Sequence, residues 1–222
     1  MLTVILIAVS GVVSATPETV DVVDPRAICE AASTVLKDMR KVNSQPRNPW
    51  DFSHPNVEKR VASCTEIAAF AAPHGYAVTF ASVAIAYNES NFRKGVEGKD
   101  REEGRMQVMF KHHCKQYPDL NDGKGHCTNP ERAGVRAIRL IQARRPNRSC
   151  VASEIRWIRG ERKRRSDAGK MQTVLRANRI HAALICDLAQ YNGSRRYGRK
   201  VAAFTVSIMR SFLKRQQQIV KR

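Results

Sequence analysis

Apolar residues recur along most of the chain at every third or fourth position, the spacing of one helical face, and nowhere alternate long enough to predict a strand. Ile28, Ala32, Val35 and Leu36 predict a first helix over about Pro25 to Lys41, with Asp24 as its N-cap and Pro25 at its first position. A second is expected from Asn56 to Ala72, ended by Pro73-His74-Gly75. A third runs from about Ala77 to Glu89 or Ser90 and carries the apolar run Phe80, Val83, Ala84, Ile85, Ala86 and Tyr87, with Asn91 and Gly95 at its exit. Gln107 to His113 predicts a short helix, and Asn129-Pro130 opens another, to about Arg144, on Val135, Ile138, Leu140 and Ile141. The last two are expected over Met171–Gln190 and Tyr197–Val220, with Tyr191-Asn192-Gly193 between them. Between helices, residues 43–55 hold three prolines and read as a loop anchored by Trp50 and Phe52, while residues 91–104 read as a charged loop or weak hairpin. Residues 145–170, including Arg156 to Arg165 (RWIRGERKRR), read as a solvated basic insertion interrupted by Gly160 and Gly169. The fold class is mainly α, a single domain over residues 25–222 with at most a short β-hairpin.

Composition bears on the compartment. The first 15 residues carry no charged side chain, and the apolar run Leu2 to Val13 ends in Val13-Ser14-Ala15, a small-x-small signature of signal cleavage. The run is shorter than the roughly 20 apolar residues a membrane span needs. Export is therefore expected, to the periplasm or outside the cell, with residues 16–24 as a short acidic, disordered linker. Six cysteines, Cys29, Cys64, Cys114, Cys127, Cys150 and Cys186, fit an oxidising compartment and a disulfide framework. Sequence does not choose among their pairings; the working expectation is the sequential one, Cys29–Cys64, Cys114–Cys127 and Cys150–Cys186. His112, His113, Cys114, His126 and Cys127 crowd one polar stretch, but no CxxC or HxxxH spacing accompanies them, so no metal is expected.

The net charge of +19 is unevenly placed. Residues 1–130 hold 15 Lys/Arg and 15 Asp/Glu, whereas residues 131–222 hold 24 and 5, which accounts for the whole excess. A cationic half implies a polyanionic partner. Export favours an anionic cell envelope over a specific nucleic acid.

The candidate chemistry sits in Ala84 to Met109. Glu89 ends the apolar third helix, and a carboxylic acid in apolar surroundings has its pKa raised, the usual route to a general acid that is protonated near neutral pH. The pieces Glu89-Ser90, Gly104-Arg105-Met106-Gln107 and Ala189-Gln190-Tyr191-Asn192-Gly193, in that order, resemble motifs of the soluble lytic transglycosylase (SLT) family, of goose-type lysozyme-like fold. Three departures stand out. Arg105 occupies the place of a usual Leu, Asn129 and Gly134 match a further motif loosely, and Gly193 comes one place early. The likeness covers about residues 75–212, with 145–170 as an insertion.

The resemblance implies cleavage of peptidoglycan between N-acetylmuramic acid and N-acetylglucosamine by one glutamate, with no cofactor and no metal. Glu89 would protonate the leaving oxygen and then, as base, deprotonate the muramoyl C6 hydroxyl as it closes on C1 to a 1,6-anhydro ring. Ser90 and Gln107 would hold the glutamate or a sugar, Met106 would line the groove, Tyr191 would bond near the reacting centre, and Asn192 would grip an acetamido group. Arg105 is expected either to face the cleft, pairing with Glu97, Glu102, Glu103 or substrate, or to lie outside it. Two rivals remain open. One is a hydrolytic lysozyme on the same scaffold, using a second carboxylate from Glu97, Asp100, Glu102 or Glu103. The other is a non-catalytic cationic protein acting on envelope or nucleic acid through residues 131–222. The protein is expected to be a monomer.

Overall fold

The computed structural model of the protein describes residues 23–43, 57–92, 102–167 and 175–220, and in them eight α-helices accompany one two-stranded sheet. The first three helices are α1 (Pro25–Asn43), α2 (Val57–Ala71) and α3 (Tyr76–Ser90). A one-turn 3-10 helix, Ala72–His74, and Gly75 at φ 88° turn the chain from α2 into α3. Two-residue strands β1 (Glu102–Glu103) and β2 (Val108–Met109) pair antiparallel, Glu102 opposite Met109. Then come α4 (Phe110–His113), α5 (Pro130–Gln142), α6 (Arg148–Asp167), α7 (Arg179–Asn192) and α8 (Arg195–Val220).

Ten of the 15 residues of α3 are buried, an unbroken run from Val78 to Ala86 among them, which is too many for one face. A helix apolar all round must be covered all round. α2, α5 and α8 pack on α3, α1 packs on α2 and α8, and α7 bridges α5 to α8. The resulting core runs from Ile28 and Ile67 through Phe80, Val83 and Ile85 to Ile138, Ile185, Val201 and Ile208.

The termini of the flanking helices are chemically marked. The Asp24 carboxylate accepts from the backbone N–H of Arg26 (2.9 Å) and Ala27 (3.2 Å), and Val23 before it is buried, so these two residues belong to the folded unit rather than to a linker. Residues 1–22, on which the expected signal and most of the expected linker fall, and Trp50 and Phe52 lie outside the described residues. Disulfides join Cys29 to Cys64, Cys114 to Cys127 and Cys150 to Cys186, the sequential pairing expected. The first staples α1 to α2, the second closes the polar loop after α4, and the third staples α6 to α7.

Two sequence expectations are corrected. Residues 148–167 are not an interrupted insertion, because α6 continues through Gly160 to Asp167. Asn147 starts it, its side-chain oxygen accepting from the N–H of Ser149 (2.9 Å) and Cys150 (3.3 Å). Gly160 lies on the exposed face, where it costs the helix only its modest propensity. α7 begins at Arg179 rather than Met171, because Asn178 caps it by accepting from the His181 N–H at 2.9 Å. Gly193, at φ 74°, ends α7 as the sequence indicated.

α8 crosses α7 in close backbone contact at Gly198. A Cβ there would strike the carbonyl oxygen of Ile185 and come within 2.8 Å of the Ala189 nitrogen, both backbone atoms that cannot step aside. Gly198→Ala should therefore destabilise the protein by about 1–3 kcal/mol. Gly160→Ala, with open space around it, should stabilise it by about 0.5–1 kcal/mol. Urea melts of the two variants check the contrast, and equal effects would mean that the crossing is looser than described.

Candidate active site

α3 ends by presenting Glu89 at the edge of the core. Asn91 adopts the left-handed conformation (φ 57°, ψ 43°) and its N–H closes back on the helix carbonyls of Ala86 and Tyr87. Phe92, also at positive φ, turns back into the core, and its carbonyl accepts from the Ser63 hydroxyl at 2.6 Å. The helix end is thus held one turn from Glu89. The carboxyl is half-buried, and its Oε1 has no hydrogen-bond partner among the described residues.

The groups around it come from three other segments: Glu102 of β1, Tyr191 at the end of α7, and Tyr197 with Lys200 in the first two turns of α8. Burial raises the pKa of Glu89 above the ordinary carboxylate range. Tyr197 pulls it down, the negative charge of Glu102 pushes it up, and Lys200 pulls it down again. The Tyr197 hydroxyl lies beside the carboxyl, yet it, Glu89 Oε1 and Asn88 Oδ1 are all buried without a hydrogen bond of ordinary geometry. Burial and then the Glu89 charge hold both tyrosines well above the usual phenol range, so both hydroxyls are neutral.

The hairpin turn between β1 and β2 supplies the opposite side. Gly104 stands at φ 69° and Gln107 at φ 49°; the Gln107 backbone N–H and side-chain Nε2 both donate to the Gly104 carbonyl, at 3.2 and 2.8 Å. A Cβ at Gly104 would come within 2.6 Å of the Pro130 side chain, so the turn and the start of α5 fit only around glycine. The Tyr191 hydroxyl donates to the Met106 carbonyl at 2.8 Å and so ties the end of α7 to this turn. The His113 ring packs 5.6 Å from that of Tyr191. Burial lowers the His113 pKa, and its Nδ1 lies 3.0 Å from both the backbone nitrogen and the carbonyl oxygen of Met109.

Of the residues singled out in the sequence, Glu89, Tyr191 and the turn carrying Gln107 are brought together. Ser90 is buried beneath the site, its hydroxyl donating to the Ala86 carbonyl at 3.1 Å. Asn192 is exposed on the last turn of α7. Met106 is fully buried and lines no surface groove. Gly134 lets α5 close over it, for a Cβ there would stand 2.7 Å from the Met106 sulfur. Arg105 takes neither expected course. It turns into the protein, where Nη1 meets Glu66 (2.7 Å) and the Ser63 carbonyl (3.0 Å) and Nε meets Glu131 (3.0 Å). Glu103 is held by the Cys127 N–H at 3.0 Å and by His126. Glu97 and Asp100 lie outside the described residues. Cys114 and Cys127, being oxidised to a disulfide, offer no thiolate to a metal.

Sequence reasoning missed Tyr197, Lys200 and Asp187. A glycine one position after an aromatic near a helix start is the signal that would have flagged Tyr197. Asp187 stands one turn before Tyr191 on α7 and lines a narrow crevice with Ile85, Ile138, Ile141 and Leu188. Its Oδ1 is buried without a partner among the described residues, and burial pushes its pKa up to about 7.

No protein-family model, curated protein or solved structure matches this chain.

Two outcomes follow from the charges. Arg105→Leu would leave Glu131, with only 15 % of its side chain exposed, and the Ser63 carbonyl without their cation. It should cost about 3 kcal/mol in a urea melt, as one-sided removal of a buried pair does. Asp187 has a folded pKa raised from 3.8 to about 7, so its ionisation opposes folding. Stability is undiminished below about pH 4 and is lost as pH rises toward about 7. Asp187→Asn should therefore melt with the parent near pH 4 and above it near pH 8; a gain equal at both pH values would contradict the assignment.

Proposed function

We propose that the protein cleaves the glycan strands of peptidoglycan, with Glu89 as the single acid/base. The observation that carries this reading is a half-buried carboxyl, raised in pKa by its burial and flanked by two neutral tyrosines, at the end of a helix that the core grips on every side. Such a carboxyl can be protonated when a glycosidic oxygen must leave, and after donating its proton it is the base that the second step requires. The order of Glu89-Ser90, the Gly104–Gln107 turn and Tyr191-Asn192 supports the transglycosylase version, in which the muramoyl C6 hydroxyl attacks C1 and the product is a 1,6-anhydro sugar. An internal nucleophile replaces the second carboxylate of ordinary glycosidases. The lysozyme-like fold belongs to the same proposal.

One observation favours a second version. Glu102 acts on Glu89 through its charge, and a second carboxylate near the first is what a hydrolytic lysozyme needs to place water. The product distinguishes the two.

Three disulfides fit an oxidising, extracellular or periplasmic setting, and among the described residues no helix is long and apolar enough to cross a membrane. Both fit a substrate in the cell wall.

Digestion of peptidoglycan followed by mass spectrometry of the muropeptides is the deciding experiment. Anhydro ends are expected; reducing ends would mean hydrolysis, and intact glycan would sink both versions. Glu89→Gln should keep the fold and reduce the rate at least about a hundredfold. The rate should also fall as pH rises through the raised pKa of Glu89, because the acid must enter the reaction protonated. A Glu89→Gln protein that cleaves as fast as the parent would remove Glu89 from the chemistry, and glycan left intact by the parent would leave only the non-catalytic reading.

A further inference from the structure

The helix α6 has two faces of opposite character. Inward it buries Val151, Glu154 and Ile158. Glu154, completely buried, is neutralised by the Arg199 guanidinium of α8 through two bonds of 2.7 and 3.0 Å, and Arg195 of α8 donates to the Ser153 hydroxyl at 3.1 Å. The Cys150–Cys186 bond holds the other side of α6 to α7. Outward, Arg148, Ala152, Arg156, Arg159 and Lys163 follow one another at intervals of three or four residues, so they form one ridge along the side opposite Glu154, and every one is exposed. Arg162 is exposed at its margin, and no exposed position from 148 to 163 carries a carboxylate.

Like charges stacked at helical spacing repel one another by a few tenths of a kcal/mol per pair, so α6 has no reason of its own to carry them. A rigid row of guanidinium forks matches a row of phosphates, which Arg recognises bidentately. We propose that this outer ridge of α6 docks a linear phosphodiester polymer of the cell envelope, a polyol-phosphate chain lying along the helix. Two features favour such a chain over the other polyanions. The apolar side chains of α6 face the protein, so the ridge has nothing to insert into a bilayer, unlike a helix that lies in a membrane surface. Its one tryptophan, Trp157, is covered by the Arg199 guanidinium at 4.1 Å, so no aromatic platform is offered to stacked bases. The ridge is independent of what Glu89 does.

The test is binding of the full chain to poly(glycerol phosphate) at about 50 and about 200 mM salt, beside vesicles of phosphatidylglycerol and duplex DNA. The ridge triple Arg156→Glu, Arg159→Glu and Lys163→Glu is compared with a control of equal charge change, Lys111→Glu, Lys115→Glu and Lys124→Glu, at exposed positions on α4 and the loop after it. The ridge triple should weaken polymer binding at least about tenfold and flatten the salt dependence of log K by about 2, some 0.7 for each lost contact; the control should change it less than about threefold. Melting temperatures verify folding, and the triple with Gln at the same three positions serves if reversal unfolds α6. Equal losses in ridge and control would mean net charge alone. Stronger ridge-dependent binding to vesicles or duplex than to the polymer would overturn the choice of partner.

Discussion

The constraint on which the rest depends is the burial of α3 on every side. Phe80, Val83 and Ile85 are each essentially removed from solvent, and burial of such side chains stabilises by about 1.5–3 kcal/mol apiece. That sum exceeds the roughly 1–3 kcal/mol of leaving a polar atom such as Glu89 Oε1 buried without a partner. The core can therefore hold a carboxyl in unfavourable surroundings, and the helix end cannot swing into water to relieve it, because Asn91 and Phe92 turn the chain straight back. A raised pKa at Glu89 is thus a by-product of packing an apolar helix that must stop somewhere.

The opposite wall of the site is set by helix crossings. Gly198 allows α8 to lie against the backbone of α7, which brings Tyr197 of one helix and Tyr191 of the other to the same carboxyl. α6 reinforces that pair from outside, through Glu154 on α8 and Cys150 on α7. The Arg105 cluster does the equivalent for the hairpin, pinning its turn to α2 through Ser63 and Glu66 and to α5 through Glu131. Each anchor lies behind the site, leaving Glu89, Tyr191 and Tyr197 to face one another.

Local chemistry made much of this legible in the sequence. Asp24-Pro25, Pro73 to Gly75, Asn129-Pro130 and Gly193 are punctuation whose effect is felt within a turn, and the helix ends they mark agree with expectation to within a few residues. α6 is hidden in the sequence because Gly160 and a run of cations look like loop composition, while the compensating Glu154–Arg199 pair joins positions 45 residues apart. The same distance in sequence hid the partners of Arg105, which are 39 and 26 residues away, and the burial of Met106, which depends on a missing Cβ at Gly134. Glu89 is legible because its apolar approach is contiguous. Tyr197 is not, because only the crossing of α7 and α8 makes it a neighbour.

The bond from Tyr191 to the Met106 carbonyl has a consequence for the polarity of the site. A phenol owns one proton, and this one is already given to the hairpin turn. Its hydroxyl therefore keeps only lone pairs for anything else that enters the site. Tyr191 is committed as a strut between α7 and the hairpin, and of the two phenols near Glu89 it is Tyr197 whose hydrogen is still unspent.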